Sequence, residues 1–244
     1  MPKDSMRAYD VYFEDFHGDL IPDELATTND NSGTTLVNVG LSGNKGGVAS
    51  ILRLDNAGAG DNNFIELDYG ATSYRVQEGH IYMEVRLAPH DVSVMAMNVG
   101  FNDETTEGGD TLPVELSGTT WTTGATTWIG FVFDADATTD NWAAFWVDDD
   151  NDTSVAIGTL MSTIALADET WYTLRLDLYD AGSGNNAIAE WQITDENGNR
   201  WNYRNTSTID RDAVLCPHIG NELRAAANNG SVDIDYIEVG RTRG

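Results

Sequence analysis

Trp171–Tyr179 reads WYTLRLDLY. Tyr172, Leu174, Leu176 and Leu178 fall on one side; Thr173, Arg175, Asp177 and Tyr179 fall on the other. That is the period of a β-strand with one face on a core and one in water. Nine residues span about 30 Å at roughly 3.3 Å per residue, long for a strand. The next seven residues, DAGSGNN, break the run with turn formers. Ile188–Thr194 then resumes it, with Ala189, Trp191 and Ile193 on one side and Glu190 and Gln192 on the other. Asn197-Gly198 signals a turn, and Trp201 and Tyr203 continue on a return strand. Trp191 is therefore expected in the core. Three antiparallel strands in a row predict an all-β chain.

Similar runs recur at Tyr9–Phe16, Thr35–Val39, Val48–Leu54, Phe64–Tyr69, Ile81–Leu87, Val92–Phe101, Trp128–Phe133, Trp142–Val147 and Val232–Val239. Ile81–Leu87 alternates cleanly, with Tyr82, Glu84 and Arg86 facing out. Asn102–Gly109 reads as an exposed loop, and Asn221–Asn228 as at most a short helical turn. Many short strands between Gly/Asn/Asp turns predict a single-domain antiparallel two-sheet β-sandwich. The expected bounds are an N-terminal arm over 1–8, the sandwich over 9–240 and a C-terminal tail over 241–244.

Forty acids, 27 of them Asp, stand against thirteen bases and give a net charge of −27. Such a surface repels nucleic acid and anionic membranes, so neither is an expected partner. The single cysteine, Cys216, excludes an internal disulfide and is expected as a small buried residue. The opening MPKDSMRAYDVYFEDF has no apolar stretch of the kind a secretory signal needs, which predicts synthesis in a cytoplasm.

The opening Tyr12–Phe16 (YFEDF), the central WYTLRLDLY, the hairpin AEWQITDENGNRW (Ala189–Trp201) and the closing VDIDYIEVG (Val232–Gly240) together resemble the concanavalin A-like jelly roll of lectins, glucanases and laminin-G modules. That resemblance implies that the first and last strands lie side by side. The ending, Leu215-Cys-Pro-His-Ile-Gly220, then Ala225–Ala227, then VDIDYIEV, resembles jelly-roll proteins of tailed-phage virions. It implies a non-enzymatic structural protein located in the virion. Such a protein would decorate a capsid or fibre and bind another virion protein, with a homo-oligomer compatible. The alternative is a carbohydrate-binding module for a cell-surface glycan, and the third reading is a divergent glycoside hydrolase.

The hydrolase reading turns on Asp233-Ile-Asp235-Tyr-Ile-Glu238, which is similar to the E-x-D-x-x-E strand of jelly-roll glucanases with Asp in the first place. In a regular strand Glu238 points away from Asp233 unless a bulge intervenes. The plainer expectation is Val232, Ile234 and Tyr236 inward, the acids outward, and no catalytic residue. No cofactor is expected. Calcium is the one ion considered, at Asp134, Asp136 and Asp140 after one strand and Asp148, Asp150 and Asp152 after the next, with solvated turns as the preferred reading. Trp121, among Thr and Gly, is the tryptophan expected to be exposed for a glycan, while the other six sit in or beside strand runs where aromatics fill cores. The histidines show no metal-ligand spacing. Lys3, Arg7, Arg241 and Arg243 place four of thirteen bases near the chain ends, an expected docking patch for an acidic partner.

Overall fold

The computed structural model describes residues 9–16, 26–29, 35–40, 49–56, 59–68, 73–104, 112–117, 120–137, 141–148, 164–182, 186–226 and 228–242. The first strands are β1 (Tyr9–Glu14), β2 (Ala26–Asn29), β3 (Thr35–Gly40), β4 (Ala49–Asp55) and β5 (Phe64–Asp68). Next come β6 (Ile81–Pro89), β7 (Met95–Asn102), β8 (Val114–Ser117) and β9 (Thr120–Thr123). They are followed by β10 (Trp128–Asp134), β11 (Ala143–Val147) and β12 (Tyr172–Asp180). β13 (Asn186–Asp195), β14 (Arg200–Asp210), β15 (Cys216–Leu223) and β16 (Val232–Thr242) close the chain.

Two antiparallel sheets face each other. The larger runs β14-β13-β12-β6-β16-β4-β3, with β1 also paired to β16; the smaller runs β11-β10-β7-β15-β5-β2. The quoted strand forms the predicted hairpin, with Leu176 opposite Trp191 and Trp191 opposite Tyr203. Leu174, Leu176, Leu178, Ala189, Trp191 and Ile193 are all buried in one cluster between the sheets. The Trp191 indole N–H donates to the Gly130 carbonyl of the opposite sheet at 2.9 Å, so the ring is fixed as well as buried. Trp128, Trp142 and Trp146 are also fully buried, whereas Trp171 and Trp201 are half-buried.

β1 pairs antiparallel with β16, from Tyr9 opposite Thr242 to Glu14 opposite Ile237, so the first and last strands are neighbours. β16 runs two residues beyond the expected boundary at 240. Three further expectations are corrected. Val92–Val94 is a 3-10 turn, started by the Asp91 side chain accepting from Ser93 N–H at 3.1 Å, and strand begins only at Met95. β8 and β9 form a separate two-stranded hairpin that the sequence reading lacked.

The third correction is the Asn221–Asn228 helical turn: Asn221, Glu222 and Leu223 end β15, a strand buried along its whole length. Its polar residues are covered rather than solvated, which is why its pattern does not alternate. On the outer side the cover is the β8–β9 hairpin with its flanking chain, while Asn221 on the inner side donates to the Gly230 carbonyl. Leu112 packs so close to Gly220 that a Cβ there would come within 2.5 Å of it. Val114 exchanges two hydrogen bonds of 2.8 Å with the buried Asn98 side chain.

Candidate functional site

The eight-stranded sheet has no such roof among the described residues, and its outward face is built of cross-strand rows. Register fixes one row: Phe13 on β1 lies opposite Glu238 on β16. Glu238 lies opposite Glu84 on β6, and Glu84 opposite Arg175 on β12. Arg175 lies opposite Gln192 on β13, and Gln192 opposite Asn202 on β14. Six strands thus contribute one residue each. A second row passes through Gly240, Tyr82, Asp177, Glu190 and Arg204.

At the centre two carboxylates face each other across strands, an arrangement that destabilises a sheet unless donors hold it. The donors are present. Tyr236 donates its hydroxyl to Glu84 at 2.7 Å, Arg175 reaches the other oxygen at 3.2 Å, and Tyr82 donates to Glu238 at 2.6 Å. Burial pushes both tyrosine hydroxyls above the usual range, and their bonds to Glu238 and Glu84 add to it, so they remain donors. Gly240 makes room for this geometry, since a Cβ there would stand 2.7 Å from the Tyr82 ring.

The network extends to both sides. Arg175 forks onto Asp177 at 2.8 and 2.9 Å and lies 4.4 Å over the Tyr82 ring. His80 meets Asp177 at 2.7 Å and stacks on Tyr179 at 4.4 Å. Burial alone would raise the Asp177 carboxyl, but hydrogen bonds from His80 and Arg175 outweigh it and hold the group below its ordinary value. Toward β4, Arg53 forks onto Asp233 at 2.6 and 2.9 Å, and His90 approaches the same carboxylate at 3.2 Å. Asp233 is likewise lowered, its burial outweighed by His90 and Arg53. Arg86 pairs with Asp235 and covers Trp171 at 4.6 Å.

At the far side Arg204 pairs with Glu190 at 2.6 Å, and the Gln192 amide donates to Asn202 at 2.9 Å. These four line a depression of about 240 Å³ that Asp177 also borders. On the near side Phe13 is 52% exposed, tilted against Tyr236 at 5.8 Å. Val11, opposite Gly240, is 51% exposed beside it. Fixed polar groups between an exposed ring and a depression can hold a ligand rich in hydroxyls.

β16 carries a bulge: its register against β6 shifts between Ile234 and Tyr236. The extra residue turns Tyr236 outward, correcting the expectation that it faces inward, and puts Asp233, Asp235 and Glu238 on one side. Asp233 is nevertheless committed to Arg53 and His90, and Glu238 lies opposite Glu84 four residues along β6 from the Asp233 partner Ala88.

The remaining expected site residues lie elsewhere. Trp121 is half-buried on the roof hairpin, packed on Phe145 at 5.8 Å, and so is not an exposed ring. Asp134 is buried; it accepts from Leu116 N–H at 2.9 Å, Asp136 N–H at 3.0 Å and Arg224 at 2.5 Å. Asp148 is half-buried, and Asp140, Asp150 and Asp152 lie outside the described residues. No group of three metal-ligating side chains occurs among the described residues. Arg241 pairs with Glu78 at 2.8 Å; Lys3, Arg7 and Arg243 lie outside the described residues. No described helix is long and apolar enough to cross a membrane.

The sequence reading missed Phe13, Glu84, Tyr82, Gln192 and Asn202 as a group. Each reads as an ordinary strand residue, and only register, which no local pattern encodes, sets them in rows.

No protein-family model matches the chain, and no curated protein matches it. Solved structures do. The chain is similar to the Lotus tetragonolobus seed lectin, with a TM-score of 0.60 at 9% identity over 96% of this chain and 100% of that one. It is similar to the carbohydrate recognition domain of Emp46p in a potassium-bound form, with a TM-score of 0.55 at 11% identity over 88% of each chain. It is also similar to lectin UEA-II complexed with galactose, with a TM-score of 0.56 at 8% identity over 95% of this chain and 98% of that one. At such identities the likeness establishes the fold alone: a concanavalin A-like β-sandwich.

Proposed function

We propose that the chain is a lectin-like carbohydrate-binding module whose ligand lies on the outward face of the eight-stranded sheet. The observation that carries this reading is the row from Phe13 to Asn202. The exposed Phe13 ring stands at one end, followed by carboxylates, a guanidinium and amides already held by neighbours. An aromatic face suits the apolar face of a sugar ring, and preorganised polar groups bind hydroxyls with little rotamer entropy left to lose. Solved structures with the same fold include carbohydrate-recognition proteins, which supports the reading without assigning a sugar. A glycan array probed with the wild type and with the double variant Gln192→Ala, Asn202→Ala tests it. We expect saccharide binding that the double variant loses while its melting temperature holds. Absence of any bound saccharide, or binding that the variant leaves unchanged, contradicts the proposal.

A second reading concerns where such a module would sit. The pairing of Tyr9 with Thr242 brings the two described ends of the chain together. This supports the proposal that the ends anchor the protein on a virion surface through Lys3, Arg7, Arg241 and Arg243, leaving the sandwich outward. Replacing all four by Ser should abolish attachment to undecorated particles and its salt dependence; unchanged attachment removes the docking role.

A further inference from the structure

Resting on the sugar-binding reading, we infer that the ligand is the interior of a neutral glycan chain laid across the strands, held at both ends of the Phe13–Asn202 row, and not a single terminal sugar. The distance argues first. Phe13 and Asn202 stand at opposite ends of a six-strand row, five inter-strand steps or about 24 Å at roughly 4.8 Å per step. One sugar ring cannot touch both. The two ends are nonetheless the parts of the row best shaped for a ligand. At one end the Phe13 ring is 52% exposed, although the other described β-sheet aromatics are buried or half-buried. At the other, Gln192 and Asn202 share one amide hydrogen bond at the mouth of the depression, leaving further donors and acceptors to offer. Between them Glu238, Glu84 and Arg175 form a continuous polar floor held from the sides by Tyr82 and Tyr236.

The charge of the surface then selects the class. The chain carries −27, so a polyanion is repelled at long range. On this face, however, Arg53, Arg86, Arg175 and Arg204 are each paired to a carboxylate. Those four guanidiniums are matched, and Arg200, exposed on β14 two residues from Asn202, stands against the −27 of the whole chain. Glu84 and Asp177 share Arg175, and Glu238 takes the Tyr82 hydroxyl, so the carboxylates along the row are already held by donors. What remains is a set of fixed hydrogen-bonding groups, which suits hydroxyls.

The test is calorimetric titration of the full chain with cello-, xylo-, manno- and malto-oligosaccharides from one to six units, with alginate as the polyuronate control. Phe13→Ala and Gln192→Ala are run beside the wild type. For the series that binds, we expect affinity to rise by about tenfold or more between disaccharide and pentasaccharide, a change well within calorimetric reach. Each variant should weaken the pentasaccharide, while any one disaccharide should respond to only one of them. Affinity that levels off at the disaccharide, or a long ligand sensitive to one end alone, overturns the extended mode and leaves sugar binding standing. Alginate binding more tightly than every neutral series overturns the neutral class. Failure of every saccharide to bind overturns this inference together with the reading beneath it.

Discussion

The outward faces of the two sheets carry the same chemistry under different cover. On the six-stranded sheet, His218 meets Glu66 at 3.1 Å with both side chains fully buried, and Arg224 ties Asp134 and Glu222 beneath the β8–β9 hairpin. On the eight-stranded sheet, Arg86, Arg175 and Arg53 make comparable pairs that remain partly in solvent. Polar residues under a roof are committed to holding it down. Those on the open face keep surface that a ligand can reach. Burial, not composition, separates the architectural network from the one proposed to bind.

The sharpest way to break this comparison is to remove one arginine from each face. Arg224→Met leaves Asp134 and Glu222 buried without their cation and should cost about 3–5 kcal/mol in denaturant unfolding. Arg86→Met, whose pair is about one-third exposed on each side, should cost at most about 1 kcal/mol. Equal costs would show that the faces are not energetically distinct.

The pH dependences should then have opposite signs. Burial pushes Glu222 up to about 8, with Arg224 opposing and Glu115 and Asp134 adding to the rise. A carboxyl raised in the folded state contributes fully below its unfolded value, and that contribution is lost as pH climbs toward 8. Asp177, lowered in the folded state, contributes above the unfolded carboxylate value and loses its contribution as pH falls through the folded one. Glu222→Gln should therefore gain stability over the wild type between about pH 5 and 8, whereas Asp177→Asn should lose it near neutrality and converge with the wild type in acid. Parallel pH profiles for the two variants would contradict the assignment.

A smaller effect concerns the whole charge. With −27 to screen, the melting temperature should rise between low and roughly physiological ionic strength. Calcium added at fixed ionic strength separates screening from binding. If micromolar calcium alone reproduced the rise, the acidic loops would be ion sites.

The hairpin from Tyr172 to Asp210 was legible because Leu174, Leu176, Trp191 and Ile193 alternate with polar residues, and one side of each strand is in water. The adjacency of β1 and β16 followed from the family resemblance. β15 was not legible: His218, Gly220 and Glu222 look like a loop because the chain over their side, with Leu112 against Gly220, lies about a hundred positions away, and Asn221 is held by the Gly230 carbonyl. The bulge at Asp235 was named in the sequence only as a condition for catalysis, and its consequence, Tyr236 turned outward onto Glu84, needed the β6 register. The open face was invisible for the same reason. Its residues come from six strands scattered between Phe13 and Glu238.

Amide hydrogen exchange with and without a bound oligosaccharide tests the central claim most directly. The account predicts added protection on β1, β6, β12, β13, β14 and β16, with β8, β9 and β15 unchanged. Protection confined to the β8–β9 hairpin or to β15 would place the ligand on the roofed face and contradict it.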